Sequence, residues 1–131
     1  MKEVLTFDKF PVGNSLGTHS FTIDASTLRL WRKLYSDEGG SGPMVSPGMV
    51  TMIVMRAYIT VLRPVPEGNI HAGLSLEMHK LPEIGDTLTT EITVSNKEVR
   101  KGRLWVYMDI MTRDDHDRVI CTGKTKSIWA R

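Results

Sequence analysis

The chain has 131 residues, 40% of them hydrophobic and 24% charged, with a net charge of +2. That is enough for one packed core, so we expect a single domain over residues 1–131. A small, scattered charge argues against a nucleic-acid partner, and the longest apolar run is too short to imply a membrane span. Cys121 is the only cysteine, which leaves no internal disulfide. With no leader segment apparent, a reducing, cytoplasmic setting is expected.

In chain order, Gly17 to Ile23 reads as a strand, and Asp24 as the cap of a short amphipathic helix over Thr27 to Tyr35. Arg29, Arg32 and Lys33 would form that helix's solvated face. Ser46 suits an N-cap and Pro47 a first helical position, opening a second helix that runs from Gly48 to about Arg63. Pro64, Pro66 and Gly68 stop it. Its apolar residues point in all directions, so we expect a helix buried on every side, with Arg56 as the one charged residue inside the run.

Alternation then predicts four strands, Asn69 to Leu81, Asp86 to Val99, Arg103 to Arg113 and Arg118 to Ala130. Arg100-Lys101-Gly102 and Asp114 to Asp117 read as turns, and Pro82 to Asp86 as the link between the first two of these strands. In the third, Leu104, Val106, Met108 and Ile110 share one face, and Trp105, Tyr107, Asp109 and Met111 the other. A helix against one curved sheet leaves edges uncovered, so a homodimer or higher oligomer is expected.

A buried guanidinium cannot shed its charge, so Arg56 requires an acidic partner or an anionic ligand; Asp37, Glu38, Glu77 and Asp109 are the internal candidates. His71 and His79 sit on one face of a strand but about 26 Å apart, too far to share a metal. Neither a metal nor a cofactor is expected. Met44, Met49, Met52 and Met55 serve as core filler or as a pliable apolar tunnel.

Several segments together carry a resemblance: Phe21-Thr22 through Leu34-Tyr35-Ser36-Asp37, Pro43 to Met49, Gly68-Asn69-Ile70 with Gly73 to Leu76, and Ile84 to Leu88. In order and spacing the chain resembles the MaoC-like hotdog family of R-specific enoyl-CoA hydratases and 3-hydroxyacyl dehydratases. That resemblance implies an α+β hotdog fold, a long central helix wrapped by a curved antiparallel sheet. It also implies a hydratase or dehydratase acting by acid–base chemistry on an α,β-unsaturated or 3-hydroxy acyl thioester, bound to CoA or a carrier protein.

The family places an aspartate and a histidine in the loop after the short helix; here Asp37 matches the aspartate, and Asp37 to Gly42 contains no histidine. Asp37 would then move the proton, with Glu38 or His71 as the helper; His71 lies on the strand that faces the family's pocket, and is otherwise a surface histidine. Gly48 matches the glycine whose N–H polarises the thioester carbonyl, or else only permits close packing at the helix entry. Arg56 stands where the hydratases place a small hydroxyl residue, so it either faces the pocket and binds a carboxylate or enolate oxygen, or forms a fixed pair. An arginine there would suit a diverged, carboxylate-bearing natural-product intermediate. Two other readings remain open: a non-catalytic acyl-binding partner subunit of a hetero-oligomer, and a hotdog thioesterase.

Overall fold

The computed structural model describes residues 3–35 and 42–131. A single 3-10 turn, Phe7–Lys9, precedes β1 (Ser15–Thr22), α1 (Ala25–Leu34), α2 (Pro47–Leu62), β2 (Ile70–Met78), β3 (Thr87–Arg100), β4 (Arg103–Arg113) and β5 (Val119–Trp129). The five strands form one antiparallel sheet in the order β1-β3-β4-β5-β2.

The β3–β4 hairpin turns through Lys101 (φ 52°) and Gly102 (φ 75°). Two positive φ values suit a tight turn whose twist matches that of the strands. Between β2 and β5 the backbones pass so closely that a Cβ on Gly123 would stand 2.8 Å from the Ser75 carbonyl oxygen. A larger residue there would push the edge strand away.

The alternation expected of β4 is met. Val106, Met108 and Ile110 are buried on the helix side, whereas Asp109 is exposed on the other. Ile92, Val94 and Leu88 of β3, with Ile120, Cys121 and Trp129 around β5, complete the core beneath Met49, Val50, Ile53, Val54 and Ala57 of α2. Where hydroxyls enter it they pair, as Thr90 does with Thr112 at 2.8 Å.

The expectation of a helix buried all round is corrected. One sheet covers one side of α2, and an open stripe remains: Arg56, Ile59, Thr60 and Arg63 are exposed, and Met52 and Met55 half-buried. Ile59 is 45% exposed although nothing polar offsets it. Met49 is core, but Met44 lies outside it and is exposed.

A second correction concerns β2. The register shifts between His71 and Gly73, and an irregularity of this kind reverses the alternation on either side of it. His71 therefore turns to the helix, where it stacks on Tyr58, while His79 bonds Thr122 Oγ1 at 2.8 Å. The two histidines do not share a face.

Candidate active site

The N-terminus of α2 is built by short-range chemistry. Ser46 Oγ accepts from Met49 N–H at 3.2 Å, the Ser46 carbonyl accepts from Val50 N–H at 3.2 Å, and Pro47 has no N–H to satisfy. Gly48 N–H is left as a first-turn donor with no acceptor among the described residues, at a half-buried position. The partial positive charge of the helix end adds to it, so this point favours a carbonyl oxygen gaining negative charge.

The segment leading into the helix is held from two sides. Val45 N–H donates to the Pro82 carbonyl at 2.9 Å and Ile84 N–H to the Pro43 carbonyl at 2.8 Å. From α1, the Arg32 guanidinium donates to the carbonyls of Gly42 and Met44 at 2.7 and 3.0 Å. Arg32 is thus not part of a solvated face as expected; it ties the last turn of α1 to the chain entering α2. Nothing in the local pattern signals this, because the acceptors are backbone carbonyls ten and twelve residues on. Asp37 and Glu38 lie outside the described residues, between the two anchors of this connection.

Arg56 departs from expectation most. Its guanidinium is exposed, sits over the Phe21 ring at 5.6 Å from the centroid, and has no carboxylate partner among the described residues. An exposed arginine avoids the several kcal/mol that burial of a charge would impose, so no partner is required. Glu77 and Asp109 cannot serve, because they line a groove on the opposite face of the sheet with Arg113 and Lys124. Arg56 instead borders an open groove of about 450 Å³ with Met52, Met55 and Arg63.

His71 stands elsewhere again. Its ring stacks on Tyr58 with centroids 5.4 Å apart and planes at 19°. The Tyr58 hydroxyl meets Ser127 Oγ at 3.1 Å, and burial raises the phenol above its ordinary value. Arg56 leans toward β1 and His71 belongs to β2, the opposite edges of the five-stranded sheet. Along α2, Gly48 and Arg56 are separated by about 12 Å. One chain therefore does not bring Gly48, Arg56 and His71 to one point.

Among the described residues, Asp114, Asp115 and His116 place ligand-type atoms within 4.8 Å of one another. Asp114 is already engaged, accepting from His116 N–H, Arg118 N–H and the Arg118 guanidinium at 2.8–2.9 Å. These contacts close the β4–β5 turn.

Five antiparallel strands in this order, laid against one long helix, define the hotdog fold expected from the sequence. Among solved structures, a MaoC-like dehydratase from Rhodospirillum rubrum is similar over 97% of this chain and 97% of its own, at 21% identity and a TM-score of 0.81. The R-hydratase PhaJ1 from Pseudomonas aeruginosa matches over 95% of this chain and 84% of its own, at 16% identity and a TM-score of 0.75. A monoamine oxidase regulatory protein from Archaeoglobus matches over 96% and 94%, at 12% identity and 0.78. At such identities the likeness is one of fold. No family model matches the sequence, and no curated protein matches it.

Proposed function

We propose that this chain is a hydro-lyase that adds water to an α,β-unsaturated acyl thioester, or removes it from the 3-hydroxy form, with the acyl group carried on CoA or a carrier protein. The observation that carries the reading is the unpartnered Gly48 N–H at the start of α2, in a fold shared with a MaoC-like dehydratase and an R-hydratase. In the hydration direction, the Asp37 carboxylate takes a proton from water as the water oxygen bonds to the β-carbon. The displaced electron pair moves onto the carbonyl oxygen, where Gly48 N–H holds the enolate. The proton then passes from Asp37 to the α-carbon, and the carbonyl re-forms.

Without the family histidine, Asp37 must act near neutral pH, which requires a carboxyl value above the ordinary range. Desolvation or a like charge close by would shift it in that direction. Arg56 and His71 stand too far from Gly48 to join it within one chain. Any part they take depends on a homodimer in which a second copy covers the open stripe of α2 and the free edge of β2.

The test is incubation of the purified chain with crotonyl-CoA, following the enoyl absorbance beside Asp37→Asn and Arg56→Ala. Loss of absorbance with wild type, reduced 10²- to 10⁴-fold in Asp37→Asn, is the expected result. Equal rates in wild type and Asp37→Asn would remove the reading. Release of free thiol with the enoyl absorbance intact would replace it with thioester hydrolysis.

A further inference from the structure

Basic residues that are scattered along the sequence are gathered by the strand register on the outer face of the sheet, the face turned away from α2. Tyr107 lies opposite Asn96 and Lys126, and Trp105 opposite Glu98 and Ile128. Directly opposed residues share a face, so these side chains stand together. Around the two rings, Arg100, Lys101 and Arg103 at the β3–β4 turn and Lys124 and Lys126 of β5 are all exposed. We propose that this face is a docking surface for short single-stranded nucleic acid, which lays its bases on Trp105 and Tyr107 and its phosphates on the surrounding cations. The surface is separate from the hydro-lyase chemistry at the start of α2. It belongs neither to the open stripe of α2 nor to the free edge of β2, so a second copy seated there leaves it accessible.

The ligand class follows from how the flat groups and the charges are arranged. The half-buried rings of Trp105 and Tyr107 are nearly parallel, with planes at 13° and centroids 6.3 Å apart, and the Arg100 guanidinium lies over Trp105 at 4.5 Å from the ring centre. Aromatic and guanidinium planes are what unpaired bases stack on, whereas a duplex keeps its base faces covered. The Tyr107 hydroxyl donates to Glu98 Oε1 at 2.7 Å, which fixes that ring and engages the acid beside it. Lys124 and Lys126 have no ion-pair partner among the described residues, and with Tyr107 they wall a hollow of about 360 Å³.

The extent of the surface is limited in the same way. From Arg103 to Tyr107 the strand rises about 13 Å, room for two bases, one on each ring. Further along the face, Asp109, Glu91 and Glu77 line the neighbouring groove. Their carboxylates confine a polyanion to the half nearer the β3–β4 turn.

The experiment follows the fluorescence anisotropy of a fluorescein-labelled ten-residue oligothymidylate as protein is added at low salt, and in parallel the indole N–H signals of isotopically labelled protein. Saturable binding is expected, weakening as salt rises. The Trp105 indole signal should move, and that of Trp129, held in the core by the Leu5 carbonyl at 2.6 Å, should stand still. The same oligomer paired in a duplex, and a ten-phosphate polyphosphate that carries charge without bases, should each bind at least fivefold more weakly. Lys124→Gln with Lys126→Gln, both exposed, should fold as wild type and lose at least fivefold in affinity; Trp105→Ala should lose at least as much. The proposal is overturned by the absence of saturable binding, by equal binding of the duplex or the polyphosphate, or by unchanged affinity in the lysine pair. Unchanged affinity in a Trp105→Ala protein with wild-type far-ultraviolet dichroism would overturn it as well.

Discussion

Asp114 shows how one side chain ties stability to pH. Burial would raise its carboxyl, but hydrogen bonds from the Arg118 backbone and guanidinium and from His116 N–H outweigh burial and hold it below the ordinary carboxylate range. Because the folded value lies below the unfolded one, near 3.9, this stabilisation is fully present above about pH 4. It is lost as the pH falls through the folded value. Asp114→Ala should unfold about 1–2 kcal/mol more easily at neutral pH, and its melting temperature should fall less than that of wild type between pH 5 and 3. Parallel curves for the two proteins would show that the turn does not depend on this charge. Arg56 teaches the complementary point: its place in an apolar run suggests a buried charge, but exposure over Phe21 removes any need for a counter-ion.

At the scale of elements, most of the framework was legible. The helix expected over Gly48 to Arg63 runs Pro47–Leu62, and β4 has the expected limits, because Ser46-Pro47 and Lys101-Gly102 act through purely local chemistry. Ser46→Ala should therefore cost about 1 kcal/mol in chemical denaturation by removing the cap from Met49 N–H; no change would mean that packing alone places the helix start. Two features were hidden for physical reasons. The face of α2 that stays open depends on how much one sheet can cover, which an all-round apolar run does not encode. The orientation of His71 depends on the irregularity beside Gly73, which reverses the alternation after a single residue. The helix start that places Gly48 was legible from cap chemistry, whereas a role for Gly48 in the candidate site rests on the resemblance alone. The contact of Tyr58 with Ser127 was not legible, because it forms only when α2 packs onto the sheet.

The whole molecule presents one covered face of α2, one open stripe, and a free edge on β2 that carries exposed Ile70 and Leu74. Among the described residues no helix is long and apolar enough to cross a membrane. The homodimer proposed above predicts that Met55→Glu on the open stripe shifts light scattering from twice the chain mass toward the monomer while leaving the far-ultraviolet dichroism unchanged. A dimer unaffected by this change would place the interface elsewhere. The reaction itself is tested most directly by the mass of the product formed from crotonyl-CoA by the wild-type chain. A product heavier by one water with its thioester intact is the predicted result; recovered substrate, or free CoA with unhydrated acid, would contradict it.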